Sequence, residues 1–285
     1  MLIGHQKQWS FFKRAIEAEK ISQAYLFIGQ EKIGKKTFAL KLVKLINKQP
    51  LLKKNAPDLI LIEPQDSVIQ IAKIRELNRW LCLKPHSAFF KIVIIDQAHL
   101  LTQEAQNCFL KTLEEPRGRA LLILITEMPE LLVSTILSRV QKIKFSPVKK
   151  NEIITYLKKQ GIKNKEAEEI TELSFGKPGL AIDFILDSEK LKNQKKIVGE
   201  LISLLGSNLA FRFRYIKKLS ESQNIKEILE IWLRHFRKAL ISFQKTPNEI
   251  RKLKDIIKQI ENTNFLISTT NVNPKLALEV LVLEL

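Results

Sequence analysis

Two apolar segments, each closed by a polar residue, constrain the fold of this chain more than any other feature. Residues 91–95 precede Asp96, and residues 121–125 precede Thr126. Strands that are apolar on both faces are typical of parallel sheets that helices cover on each side. In such sheets ligands bind beyond the carboxyl ends of the strands. The pattern therefore predicts an α/β domain, a doubly wound parallel sheet, with Asp96 and Thr126 at its ligand-binding edge.

A phosphate-binding loop is predicted upstream of these strands. Residues 29–37 read Gly-Gln-Glu-Lys-Ile-Gly-Lys-Lys-Thr and follow a short apolar segment. They match the pattern G-x-x-x-x-G-K, in which Gly29 and Gly34 let backbone N–H groups surround a phosphate and Lys35 reaches toward it. The loop is expected to open a helix.

Two positions depart from the pattern of a nucleotide hydrolase. The residue after the loop lysine is usually Ser or Thr, which binds magnesium, but here it is Lys36, and Thr37 comes one position late. Many nucleotide hydrolases carry Asp-Glu at the end of the strand equivalent to residues 91–95, and here the pair is Asp96-Gln97. A carboxamide can hold a water molecule but cannot accept its proton. Both departures affect hydrolysis rather than folding, which indicates an ATPase scaffold kept for another purpose.

Five motifs in this order resemble the AAA+ clamp-loader family; they lie at residues 21–27, 74–77, 94–99, 110–116 and 137–140. Within that family they are most similar to the delta-prime subunits of the bacterial DNA polymerase III clamp loader. The resemblance covers about residues 1–185. It implies an AAA+ P-loop α/β domain at 1–147, a three-helix lid domain at 148–187 and a helical collar domain for oligomerisation at 188–285.

The resemblance also assigns a role to Arg139. In this family the Ser-Arg-Cys motif presents its arginine to the γ-phosphate held by a neighbouring subunit, as an arginine finger in trans. Val140 replaces the family's cysteine, which does not touch phosphate. The plainer alternative is a surface arginine that precedes an edge strand. Members that hydrolyse ATP carry a lid arginine where this chain has Gly179, a third missing catalytic element.

The implied function is that of a catalytically silent accessory subunit of the polymerase holoenzyme. It would join gamma/tau motor subunits and a delta subunit in a hetero-pentamer, and reach the sliding clamp and primer-template DNA through that complex. Two other hypotheses stay open, an active AAA+ motor subunit of the same loader and a stand-alone DNA-binding module.

The loop also leaves open whether ATP or ADP binds, the alternative being an empty loop held shut by Lys36 and Gln97. Asp96 is then either a remnant magnesium ligand or a helix-capping acid, and Thr126 either a phosphate sensor or a strand-end hydroxyl.

Composition agrees with work beside nucleic acid but does not locate a DNA site. The net charge is +18, and the basic excess is spread over both halves of the chain, as on any solvated basic surface. Cys82 and Cys108 fall in apolar helical patterns and are predicted to be buried thiols of a reducing compartment. Neither these cysteines nor the four histidines have metal-ligand spacing, so no metal is expected. Residues 49–57 stand where many relatives carry a four-cysteine zinc module, so no zinc is expected either.

No signal segment or apolar run of membrane-spanning length is found, so a cytoplasmic protein is expected.

Strands are predicted at residues 24–28, 59–62, 90–95, 120–126 and 141–145. Helices are predicted at residues 6–19, 35–47, 70–83, 102–115, 151–160, 164–174, 178–186 and 225–243. Thr102 is the predicted N-cap of its helix and Pro116 its end. The last helix carries an apolar stripe of Ile228, Ile231, Trp232, Phe236, Leu240 and Phe243.

Overall fold

The computed structural model describes residues 2–47, 58–65, 67–85, 90–114, 119–222, 224–241, 246–270 and 272–284. Contacts within the chain divide it into two compact units, Met1–Ile182 and Asp183–Leu285. The first unit holds a β-sheet between helices, and the second is helical. The prediction of three domains, divided near residues 147 and 187, stays a prediction.

The described residues of the first unit form five parallel strands: β1 (Ala24–Ile28), β2 (Leu59–Ile62), β3 (Lys91–Ile95), β4 (Ala120–Thr126) and β5 (Gln141–Lys144). Their order is β2-β3-β4-β1-β5. β3 and β4 are buried along their whole length. Side chains alternate between the two faces of a strand. Leu26 accordingly joins the apolar cluster on one face, while Tyr25 and Phe27 join the cluster on the other. The predicted parallel α/β sheet is confirmed.

Eight α-helices begin among the described residues of this unit: α1 (Gln6–Glu17), α2 (Lys35–Asn47), α3 (Ile71–Leu81), α4 (Gln103–Glu114), α5 (Ser134–Leu137), α6 (Lys150–Lys159), α7 (Asn164–Ser174) and α8 (Pro178–Leu186). The longer ones lie close to their predicted bounds. Thr102 caps α4 as predicted, because its hydroxyl accepts the Ala105 N–H at 3.3 Å. Pro116, the predicted end of this helix, lies outside the described residues.

An aromatic cluster holds the phosphate loop against the sheet. Phe12 of α1 is fully buried, and its ring centroid lies 4.9 Å from that of Tyr25 and 5.8 Å from those of Phe27 and Phe38. Phe145 follows β5 and packs on Phe27 and Phe38. Edge-to-face contacts of this kind add to the free energy of burial. The start of α2, and with it the loop that precedes it, is therefore fixed by β1 and α1.

Five helices form the described part of the second unit: α9 (Ser188–Leu205), α10 (Leu209–Ser220), α11 (Ile225–Ile241), α12 (Pro247–Thr269) and α13 (Pro274–Glu284). Their shared core surrounds Trp232, which is fully buried. Four residues of the predicted stripe lie in or against this core: Ile228, Ile231, Trp232 and Phe236. Leu240 is half-buried, and Phe243 lies outside the described residues. The last predicted strand, at residues 141–145, corresponds to β5, and no strand follows it within the described residues.

The prediction for the cysteines is wrong in part. Cys82 is exposed, and Cys108 is only half-buried against the core. The apolar face of α3 is set by Leu77 and Leu81, whereas Cys82 is the C-cap residue, where the helix stops and its last turn faces solvent. An apolar sequence pattern does not reveal on which side of that final turn a residue falls.

Among the described residues no helix is both long and apolar enough to span a membrane.

Candidate functional site

The carboxyl edge of the sheet carries a pocket of about 230 Å³ beside the phosphate loop. Five of the six predicted nucleotide-site residues line it, namely Gly34, Lys35, Thr37, Asp96 and Thr126. The loop joins β1 to α2, Asp96 follows β3, and Thr126 ends β4. Parallel strands deliver these residues to one edge because all their carboxyl ends point the same way.

The sixth predicted residue, Gly29, supports the loop from behind instead of lining the pocket. A Cβ atom at this position would lie 2.6 Å from the backbone oxygen of Phe145, so no side chain fits without moving the backbone. Its N–H donates to the Thr126 carbonyl at 3.1 Å. Gly34 has a φ of +102°, a conformation that L side chains rarely adopt. The two glycines thus serve close packing and backbone turning, respectively.

Lys35 is folded back onto its own loop. Its ammonium donates to the carbonyl oxygens of Gly29 at 2.5 Å and Gln30 at 2.6 Å, and the residue is only 7% exposed. Burial lowers the pKa of Lys35 to about 8, although the carboxylates of Glu127 and Asp96 raise it. Keeping the buried Lys35 ammonium charged therefore costs solvation free energy. The negative charge of a bound phosphate would offset that cost.

The lowered pKa predicts a stability that depends on pH. Lysine in the unfolded chain titrates near 10.5 and folded Lys35 near 8, so between these values the unfolded state binds more protons and stability rises with pH. Between pH 7.5 and 10, the free energy of unfolding of the wild type should increase by on the order of 2 kcal/mol relative to that of a Lys35→Met variant. Urea denaturation at both pH values measures this. The free energy of unfolding of a Lys44→Met variant, at an exposed position of α2, should change with pH as that of the wild type does. If the free energy of unfolding of Lys35→Met also changes with pH as the wild type does, the assignment is contradicted.

The residues at the expected magnesium position do not fit a divalent cation. Lys36 stands where the pattern has Ser or Thr, and its ammonium contacts both Glu63 and an oxygen of Asp96, the latter at 3.3 Å. The other oxygen of Asp96 accepts the N–H of Gln97 at 3.0 Å. A second cation beside the ammonium would be repelled by it. Gln97 also lines the pocket, with no carboxylate to accept a proton from water.

Thr126 has its hydroxyl engaged within the chain. It lies 3.1 Å from Nδ1 of His99 and accepts the N–H of Met128 at 3.1 Å, and the residue is 1% exposed. These contacts suit the strand-end interpretation of Thr126, since they satisfy a buried polar group where β4 ends. Its use as a phosphate sensor stays a prediction.

Gly179, which the resemblance places where ATP-hydrolysing members carry a lid arginine, contacts the phosphate loop through its backbone. Its N–H donates to the Lys32 carbonyl at 2.8 Å, and a Cβ atom would lie 2.8 Å from the same oxygen. A side chain at residue 179 would therefore push the start of α8 away from the loop. The glycine permits a close contact that an arginine would prevent.

Arg139 lies at the opposite edge of the sheet from this pocket. It occupies the turn between α5 and β5, at the amino end of β5, and it is exposed. β1 is five residues long and runs parallel to β5, so roughly 16 Å of strand separates the two edges. The guanidinium pairs with Glu114 at 2.8 Å and donates to the Thr135 carbonyl at 3.0 Å. Arg139 thus points away from its own phosphate loop and is held in place at the surface.

Three residues that contact the predicted site residues were missed from the sequence: Glu63, His99 and Glu114. Glu63 follows β2 directly, as Asp96 follows β3, so the strand-end argument would have found it. No sequence signal places His99 beside Thr126 or Glu114 beside Arg139, because these contacts join separate elements. Among the described residues, no three His, Cys, Asp or Glu side chains cluster as metal ligands. The segment 49–57, on which the prediction of no zinc rests, lies outside the described residues.

Comparison with known proteins identifies the family. Residues 4–149, just over half of the chain, match the family described as DNA polymerase III, delta subunit. The chain is 29% identical over 217 residues to DNA polymerase III subunit delta′ of Bacillus subtilis, covering 71% of this chain and 65% of that protein. It is 29% identical over 172 residues to subunit tau of the same organism, covering 55% and 31%. The matched segment thus spans less than two thirds of either relative.

A solved structure of a RuvB point mutant from Thermotoga maritima has a TM-score of 0.52 with this chain at 15% identity, covering 96% of this chain and 87% of that one. At that identity the likeness concerns the fold alone, and it agrees with an AAA+ α/β domain followed by helices. Together with the match over residues 4–149, these observations show that the chain belongs to the clamp-loader family of DNA polymerase III subunits and has the AAA+ fold.

Proposed function

We propose that the chain is the delta-prime, non-motor subunit of a DNA polymerase III clamp loader. The observation that carries this proposal is the placement of Arg139. It is exposed and lies at the sheet edge away from its own phosphate loop. A guanidinium so placed cannot reach a nucleotide in its own pocket, but it can reach one held by an adjoining subunit. It would act there as an arginine finger in trans, stabilising negative charge that develops on the γ-phosphate.

The pocket of the chain itself supports a silent role. Lys36 pairs with both acids near the magnesium position, Gln97 cannot act as a general base, and Gly179 packs where a lid arginine would stand. Each change removes a group that hydrolysis needs and leaves the sheet and its helices intact. The scaffold would then serve to position Arg139 and the subunit's interfaces.

The proposed partners are the other subunits of the DNA polymerase III clamp loader. The chain would adjoin a gamma/tau motor subunit and join a delta subunit in a cytoplasmic hetero-pentamer. Through that assembly it would help to load the sliding clamp onto primed DNA during replication. The helices of the second unit, α9 to α13, are proposed to form its part of the oligomerisation collar.

An alternative is an active motor subunit of the same loader. The equal percentage identity to subunit tau keeps this alternative open, since sequence similarity alone does not separate the two types of subunit. The motor hypothesis requires that the isolated chain bind and hydrolyse ATP.

Steady-state ATP turnover distinguishes the two proposals. We expect the purified chain to show no turnover above background. Adding it to the motor and delta subunits should raise the turnover stimulated by primed DNA and clamp, because it completes one active site. Three assays are needed: the chain alone, the partners alone and the full assembly. Turnover by the chain alone would establish the motor hypothesis instead.

A further inference from the structure

Two carboxylates stand side by side at the carboxyl edge of the sheet. β2 pairs with β3 in parallel, with Ile62 opposite Ile95. The next residues are Glu63 and Asp96, and the Asp96 N–H donates to the Ile62 carbonyl at 2.9 Å. Backbones of neighbouring strands lie about 4.8 Å apart. Two carboxylates on adjacent strand ends repel each other, and a cation placed between them relieves that repulsion.

The chain supplies that cation itself. The ammonium of Lys36 contacts Glu63 and lies 3.3 Å from an Asp96 oxygen, so it bridges the two acids. Lys36 is the second residue of α2, directly after the loop lysine. A lysine ammonium keeps its positive charge throughout the neutral range.

We propose that Lys36 is a resident cation that takes the place of a divalent metal ion between Glu63 and Asp96, so that this pocket is independent of magnesium. In a magnesium-dependent P-loop site, the hydroxyl at the Lys36 position and the acid at the Asp96 position are the two protein ligands of the metal. Here the same two positions form an internal ion pair. This inference concerns the pocket and does not depend on the role of Arg139.

An ammonium and a magnesium ion exclude each other at this point. Magnesium requires octahedral oxygen ligands at about 2.0–2.1 Å, whereas an ammonium offers three hydrogen-bond donors and no lone pair. With Lys36 present, one of the two metal-ligand positions is lost and the remaining acid is already neutralised. Removing the ammonium should therefore expose a latent divalent site.

The test removes the ammonium and measures metal binding directly. In a Lys36→Ser variant, the serine hydroxyl and the two carboxylates should bind one Mn²⁺ at least tenfold more tightly than the wild type does. Electron paramagnetic resonance titration with Mn²⁺ alone reports this. Without metal the variant should unfold at a lower temperature than the wild type. At about ten times the dissociation constant, Mn²⁺ should raise its Tm by about 2–4 °C, while the wild-type Tm stays unchanged.

Two controls separate this proposal from simpler explanations. A Lys44→Ser variant makes the same substitution at an exposed position of α2 and should behave like the wild type. A Lys36→Ser/Asp96→Asn variant should lose the gain in Mn²⁺ affinity. Lys36→Met, an uncharged unbranched side chain one atom shorter than lysine, replaces Lys36→Ser if the latter fails to fold. If the wild type binds Mn²⁺ as tightly as Lys36→Ser does, or if neither Lys36→Ser nor Lys36→Met gains Mn²⁺ affinity, the proposal is overturned. Neither outcome bears on the ATP-turnover assays, so failure here and failure of the proposed function are distinguishable.

Discussion

Replacing Arg139 by alanine is expected to lower ATP turnover at the neighbouring active site that it is proposed to complete by about 10³-fold or more, the usual effect of losing an arginine finger. The guanidinium supplies a fixed positive charge, and alanine leaves the developing negative charge on the γ-phosphate without that partner. Turnover is measured in the full assembly, with primed DNA and clamp present. Single-turnover measurements are preferable because the substitution would leave any other active site of the proposed assembly unchanged.

The control for this variant is Arg14→Ala. Arg14 is also exposed, and it donates to the backbone carbonyl four residues earlier, as Arg139 does, but it lies on α1. Turnover of the Arg14→Ala assembly should match the wild type. Arg139→Lys tests the chemistry, since lysine keeps the charge but loses the planar fork of donors, and it should recover only a small part of the rate. If Arg139→Ala assembles normally and turns over ATP at the wild-type rate, Arg139 is only a surface residue.

Replacing Phe12 by alanine is expected to destabilise the first unit by about 3–5 kcal/mol, the range for phenylalanine removed from a packed core. The ring is fully buried and touches Tyr25, Phe27 and Phe38, so its loss leaves a cavity beneath the phosphate loop. Hydrogen exchange followed by mass spectrometry measures the effect within this unit. Amides of α1, β1 and α2 should exchange between about 10² and 10⁴ times faster.

The neighbouring residue provides the matched control. Phe11 lies on the same helix but is 36% exposed, so Phe11→Ala should cost about 1 kcal/mol or less. Amides of α9 to α13 should be unaffected by either variant, since they belong to the second unit. Equal effects of Phe11→Ala and Phe12→Ala would show that the aromatic cluster does not anchor the loop.

The two substitutions affect separate features of the first unit. Phe12 concerns the scaffold, which retains the strands, the loop and the packing of a nucleotide-binding domain. Arg139 concerns a single exposed side chain that the scaffold holds at the far edge of the sheet. A fold can be kept while its site changes, because packing depends on buried apolar area and catalysis on a few polar groups.

Local pattern was sufficient for most elements of this chain. The strands were predictable because they are short apolar runs between turn residues, and the helix bounds followed from apolar periodicity and caps such as Thr102. The line of residues at the carboxyl edge was also predictable, since a parallel sheet brings strand ends together whatever lies between them. Cys82 was not predictable in this way, because exposure in the last turn of a helix depends on what packs beside it.

Residue types at fixed spacings were enough to predict the parallel α/β fold, the phosphate loop and the departures Lys36, Gln97 and Gly179. The contacts that those residues make became known only from the folded chain. Folding brings Glu63 beside Asp96 and sets Lys36 between them, and it places Arg139 on Glu114 at the opposite edge. These contacts join residues far apart in the chain, and their partners are selected by strand order and helix packing, which no local pattern encodes.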